Sequence, residues 1–189
     1  MWQNFVPDAS FFTKLLNIDR EEAERFQQRG CPFCGGPLHQ AHYPRKPRGV
    51  TDGIDDSHRL RFSFCCGSEG CRKRVTPPST RFLGRKVYFA PVILLLCAIN
   101  NLLSSEEKRK QRVFSQIPKL TQCRWRYWWQ EQFPSGRAWL MIRGRLKSPP
   151  EPHELPSRLL SNFDGHPWER LISCLRLLAP VTTTLAITI

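Results

Sequence analysis

The sequence is short of acid, of long apolar runs and of catalytic signatures, and each shortage narrows what the chain can be. Its longest strongly apolar run, Val92 to Leu103, is interrupted by Asn100 and Asn101. It falls short of the ~20 residues a helix needs to cross a bilayer, so no membrane partner is expected. The N-terminus, Met1-Trp2-Gln3-Asn4, lacks a basic region followed by an apolar stretch, so no signal peptide is expected either. These two absences predict a cytoplasmic chain whose thiols stay reduced. There is no nucleophile–base pair, no Gly-rich phosphate loop and no His-Glu-x-x-His, and the expectation is a protein that is not an enzyme. The one acid–histidine cluster, Asp52, Asp55 and Asp56 near His58, has the composition of a turn.

Acid is scarce relative to base. Against 16 Asp and Glu stand 29 Lys and Arg, a formal charge of +13. An excess of this size suits a polyanionic partner, because each neutralised phosphate releases condensed counterions. Hydrophobic residues make up 40% of the 189 residues, and 16 prolines cut the chain into short pieces. A large single core is therefore not expected.

What the chain does have is eight cysteines, four of them in two short hooks. Cys31-Pro32-Phe33-Cys34 is followed by Gly35-Gly36, which permits a tight reversal. Cys66-Gly67-Ser68-Glu69-Gly70-Cys71 forms the second hook, and the span between the hooks is long enough for a small hairpin. Two hooks that meet would offer four thiolates to one tetrahedral Zn²⁺. The predicted ligands are Cys31, Cys34, Cys66 and Cys71, with Cys65 as the alternative to its neighbour Cys66. In the pattern Arg61-Phe62-Ser63-Phe64-Cys65-Cys66 an alternating strand puts Phe62, Phe64 and Cys66 on one face, which favours Cys66. His39, His42 and His58 lie between the hooks as alternative ligands. Four thiolates leave no open position of the kind a catalytic zinc keeps for water.

The chain divides by composition into four parts. Residues 1–30 form a helical segment of balanced charge, with a helix expected from about Asp19 to Gln28. Residues 31–88 form the zinc-ribbon β module. Residues 89–147 hold three short helix candidates: Ala90 to Leu103, Ser105 to about Gln116, and Leu120 to Phe133. Residues 148–189 are a proline-rich linker and tail, with a weak amphipathic helix from Pro167 to Leu178. The fold class is α+β: a small zinc ribbon, then a three-helix, helix-turn-helix-like bundle, then a short C-terminal helical tail.

Four stretches together carry a family resemblance: Cys31-Pro-Phe-Cys34-Gly-Gly, Arg61-Phe-Ser-Phe-Cys-Cys66, the basic run after Cys71, and Arg124-Trp-Arg-Tyr-Trp-Trp129. Over about residues 31–133 the chain resembles the zinc-ribbon plus helix-turn-helix segments of bacterial transposases and small transposon-associated proteins. The resemblance implies DNA binding in the setting of a mobile element. It departs from that pattern in the four-residue gap between Cys66 and Cys71 and in Gln122 within the helix. No acidic-triad transposase domain is encoded, since only Glu151, Glu154, Asp164 and Glu169 follow Glu131, in proline-rich or short helical sequence.

On a helical wheel Thr121, Trp125, Trp128, Trp129 and Gln132 share one side of the third helix, which is expected to pack against Ala90–Leu103. Lys119, Arg124, Arg126, Tyr127 and Gln130 then face outward as candidate contacts to phosphates and base edges. Arg72, Lys73 and Arg74 add a basic turn behind the second hook. The leading expectation is thus a DNA-binding accessory or regulatory protein with Zn²⁺ as cofactor. The alternative is an adaptor whose zinc ribbon docks on a protein, such as a transposase or a polymerase subunit.

Overall fold

A computed structural model describes residues 7–48, 53–100 and 117–183, apart from the side chains of 99 and 100. The expected helix from Ser105 to Gln116 lies outside these residues. Helices and two small antiparallel sheets share the described chain, so the class is mixed α and β.

Helix α1 spans Ala9–Gln28 and begins ten residues before its expected start. The signal that starts it is Asp8, whose carboxylate accepts the Phe11 amide at 2.9 Å as an N-cap. Phe12, Leu15, Leu16, Asp19 and Ala23 recur at helical spacing and form the buried stripe. Gly30, with φ +78°, ends the helix; a Cβ there would sit 2.8 Å from the Gly35 carbonyl oxygen.

Strands β1 (Leu38–Gln40), β4 (Phe64–Cys66) and β5 (Arg74–Val75) form one antiparallel sheet with β4 in the centre. Leu38 faces Cys66, and Phe64 faces both Gln40 and Val75. Strands β2 (Tyr43–Pro44) and β3 (Leu60–Arg61) make a second pair, entered through a 3₁₀ turn at Asp56–Arg59. The expected alternation through Arg61–Cys66 is not followed. Arg61 and Ser63 are as buried as Phe62 and Phe64, because the strand breaks between β3 and β4 and both faces are covered. Leu16 and Ala23 of α1 join Leu38, Phe62, Phe64 and Val75 in a small core, with Phe26 stacked over Phe64 at 6.3 Å.

The second core is large, contrary to the expectation from proline content. At its centre is α2 (Ala90–Asn100), whose residues 90–98 are buried on every side, the pattern of a helix enclosed by others. Helix α3 (Lys119–Tyr127) packs on it and widens into a π-helical turn at Trp128–Gln132, closed by the Phe133 amide on the Trp128 carbonyl at 2.8 Å. Trp129, Phe133 and Trp139 of α4 (Arg137–Arg143) meet ring against ring. Helices α5 (Ser157–Ser161) and α6 (Pro167–Leu178) complete the enclosure, with Leu159, Leu160, Leu171, Cys174 and Leu175 pointing inward. Many short helices around one apolar rod bury area that no single long element could. Prolines break the helices without dividing the core.

The two cores are joined through charge. Asp19, 1% exposed, accepts Ser79 Oγ at 2.5 Å, Thr80 N at 2.6 Å, Thr80 Oγ1 at 2.7 Å and Arg81 Nε at 2.9 Å. Arg81, fully buried, donates onward to the carbonyls of His58 at 2.6 Å and Leu60 at 2.9 Å. Ser79 N donates to Thr182 Oγ1 just past α6 at 3.0 Å, and Arg61 Nη2 reaches the Thr182 and Pro77 carbonyls. One carboxylate thereby ties α1, the β module and the chain after α6. Removing one partner of a buried, hydrogen-bonded ion pair costs about 3–5 kcal/mol. Asp19→Ala is accordingly expected to lower the unfolding free energy by about that amount in urea denaturation, and Glu24→Ala on the exposed side of α1 by a few tenths.

Candidate metal centre and the basic face

The first cysteine hook is shaped by backbone hydrogen bonds. The Gly35 amide donates to the Cys31 carbonyl at 2.8 Å, and the Cys31 amide donates to the Gly36 carbonyl at 2.8 Å. In the second hook the Cys71 and Arg72 amides both donate to the Ser68 carbonyl, at 3.0 and 3.1 Å. Arg72 takes a left-handed φ of 47°, which returns the chain towards β5, and the Cys66 amide donates to the Lys73 carbonyl at 3.0 Å. The hooks are held to each other by Gly67, whose amide donates to the Pro37 carbonyl at 2.8 Å.

These turns bring four sulfurs together. Cys31 Sγ and Cys71 Sγ are 3.8 Å apart, Cys34 Sγ and Cys66 Sγ 3.4 Å, and all four lie within 4.8 Å of one another. Sulfurs at ~2.3 Å from a tetrahedral Zn²⁺ stand about 3.8 Å apart, so the cluster has the size of a single four-thiolate site. Thiols this close cannot all ionise without a cation between them. The Gly36 amide, followed by the Cys66 thiol, holds Cys34 below the usual thiol value. At Cys71 the Lys73 amide also favours the thiolate, but burial and the three neighbouring thiols outweigh it and push the group up to about 11. The donor set therefore fits one soft metal ion bound by Cys31, Cys34, Cys66 and Cys71.

Cys65 stands outside the cluster, opposite His39 on β1. None of the three histidines joins it. His42 Nδ1 accepts the Ser63 amide at 3.1 Å, and its ring lies edge-on to Phe62 and Phe64. His58 is buried between Asp55 Oδ1 at 2.8 Å and Thr13 Oγ1 at 3.1 Å. Asp55 also accepts Ser57 N and Oγ and so caps the 3₁₀ turn, while Thr13 donates to the Ala9 carbonyl. Asp52, the third acid of that cluster, lies outside the described residues.

Arg72, Lys73 and Arg74 are exposed beside the second hook. Lys73 Nζ rests 4.3 Å over the Phe33 ring of the first hook, whereas Arg74 braces the sheet through Ser63 Oγ and the Ala41 carbonyl. On α3, Lys119, Arg124, Arg126 and Tyr127 point to solvent while Trp125 and Trp129 are buried towards α2. Gln130 is half-buried, its side-chain amide donating to the His153 carbonyl at 3.2 Å. Sequence patterns gave no warning of the Asp19–Ser79–Thr80–Arg81 knot, nor of Arg48 and Lys86, which lie beside α3. Pro77-Pro78 ahead of Ser-Thr-Arg is the one available sign that this stretch is a fixed turn.

Compared with protein-family models, curated proteins and solved structures, the chain has no significant match. No helix among the described residues is long and apolar enough to cross a membrane.

Two outcomes are expected. Purified chain should carry one metal ion; Ser at 31, 34, 66 or 71 should remove it and lower the melting temperature, and Cys65→Ser should leave the stoichiometry at one in elemental analysis. Hydrogen bonds from Ser57 and then His58 hold the Asp55 carboxyl down at about 2. Its stabilising contribution is thus complete above the ordinary carboxylate range and is lost as pH falls through about 2. Asp55→Asn should remove that step from the acid limb of the stability curve.

Proposed function

We propose that this chain is a DNA-binding protein whose zinc ribbon, closed on Zn²⁺ by Cys31, Cys34, Cys66 and Cys71, holds a basic turn beside a helical bundle with a second basic face. The observation that carries the reading is a set of uncompensated cations. Several acids have basic partners: Asp19 with Arg81 across the fold, and locally Glu22 with Arg25 and Arg29, Asp56 with Arg59, and Glu154 with Arg158. Arg72, Lys73, Lys119, Arg124 and Arg126 are exposed and pair with no carboxylate among the described residues. Cations left unpaired on a rigid surface are the positioning contacts a phosphate backbone needs. A metal supports this role because a β module of such short strands has too little core to hold Arg72 and Lys73 in place by packing alone. The resemblance to transposon-associated proteins makes a mobile-element accessory or regulator the specific form of this reading, with no reaction assigned.

A second reading has its own support. Leu120, Leu140 and Met141 are large apolar side chains left exposed on α3 and α4, as a protein-docking adaptor would leave them. Capture of a partner that survives nuclease treatment would favour it.

The test is duplex binding against salt. A random duplex should bind at about 50 mM salt and weaken steeply by about 200 mM, with log K linear in log salt. Changing Arg72, Lys73, Lys119 and Arg126 to Gln should shallow the slope by about 0.9 for each phosphate that is no longer neutralised. Absence of binding at low salt would overturn the reading.

A further inference from the structure

The groove beside α3 has features a duplex backbone does not require. It is an open groove of about 680 Å³, within the range of small-ligand sites. Arg48, Lys86 and Arg124 line it, and no carboxylate does among the described residues. Its aromatic wall comes from α3 and the segment leading into α2. Tyr88 and Trp125 meet edge to face at 4.8 Å and form a buried, rigid floor. Tyr127 stands beside them, 58% exposed.

One of the cations, Lys86, is set in place by an aromatic ring, and the backbone of a second, Arg48, is fixed at the rim. Lys86 Nζ sits 4.2 Å over the Trp128 ring, and burial lowers its affinity for a proton relative to a free lysine. The Arg48 backbone is held at the rim, its amide donating to the Val87 carbonyl at 2.9 Å, and its side chain is exposed. At the π-helical turn Trp129 enters the core while Trp128 is half-buried at the groove, the two rings meeting edge to face at 4.7 Å. An exposed ring beside cations, with no carboxylate among the described lining residues, is an arrangement suited to single-stranded nucleic acid. Every base offers a π face when unpaired, and none is accessible within a stacked duplex.

We propose that this groove receives an unpaired nucleotide of a DNA strand, its base stacked on Tyr127 and its flanking phosphates held by Arg48, Lys86 and Arg124. The inference rests on the DNA-binding reading and gives it a substrate class: DNA with an exposed single-stranded base, such as a strand end, bubble or hairpin loop. A protein occupant is disfavoured because the wall presents three cations and would demand an acidic, aromatic-seeking peptide.

The experiment measures anisotropy of the zinc-loaded full chain with a labelled single strand of about 12 nucleotides, the matching blunt duplex and the matching RNA strand, at one salt concentration. Single-stranded DNA is expected to bind about tenfold more tightly than duplex, with quenching of tryptophan fluorescence on binding. Tyr127→Leu should weaken single-strand binding roughly tenfold and duplex binding far less, while Tyr127→Phe retains the preference. Tyr127 is exposed, so an unchanged melting temperature serves as the folding control. Equal affinity for strand and duplex, with Tyr127→Leu affecting neither or both alike, would overturn the groove proposal and leave DNA binding standing. Tighter binding of RNA would overturn the assignment to DNA. Failure of all three probes to bind would overturn both proposals together.

Discussion

Asp19 presents two carboxylate oxygens where water does not reach, and Ser79, Thr80 and Arg81 converge on them from about sixty residues away. An isolated carboxylate in such a place would cost several kcal/mol, so the surrounding chain has to supply donors or the charge has to go. Here the donors are supplied in full, and Arg81 then directs its remaining N–H groups at the carbonyls of His58 and Leu60. The geometry tolerates little slack. A small shift of α1 would cost the β module its anchor, and the turn before α2 would move with it. That turn places Lys86 and Tyr88, so the shape of the groove beside α3 depends on a carboxylate in α1.

The cysteine site solves a different problem. The β module has strands of two or three residues and a core that borrows Leu16, Ala23 and Phe26 from α1. Such a sheet has few ladder hydrogen bonds, and its hooks carry a left-handed arginine and four crowded thiols whose ionised forms repel. A cation bound among the sulfurs converts the repulsion into the strongest local attraction in the module. The result is transmitted to the surface directly. Lys73 lies over Phe33, so a cation–aromatic contact joins the two hooks at the surface as the sulfurs join them inside.

Charge placement separates the structural ionic groups from those available for binding. Several acids are engaged close to where they occur, in caps at Asp8 and Asp55 and in ladders along α1, whereas Asp19 is engaged from about sixty residues away. Several arginines are likewise structural: Arg61 and Arg81 are buried, and Arg74 bridges the sheet. Among the exposed cations left without a carboxylate partner in the described residues are those on the turn behind Cys71 and on the outer side of α3, next to aromatic rings. In the proposed role, a polyanion meets the first as a phosphate contact and the second as a place where a base can be stacked.

Sequence alone determined the features whose cause is local. The Cys31–Cys34 and Cys66–Cys71 spacings identified the four sulfurs that meet, and of the expected alternation only the part within β4, with Phe64 and Cys66 buried and Cys65 less so, separates Cys66 from Cys65. The inward Trp125 and Trp129 and the outward basic residues of α3 followed from helical periodicity, as did α6 from Pro167 to Leu178, whereas Trp128 and Gln132, expected on the inward side, are half-buried and exposed. Local signals also compete: Asp8 and Asp19 both suit a helix start, and it is Asp8 that caps α1 while Asp19 turns inward. Only the tertiary structure decided the partner of Asp19, the burial of Arg61, the diversion of Gln130 to His153 and the meeting of Arg48 and Lys86 with α3. The reason is physical. A spacing of a few residues is set by the geometry of one turn, whereas a buried charge finds its counter-charge wherever packing returns the chain, and no short stretch of sequence encodes that distance.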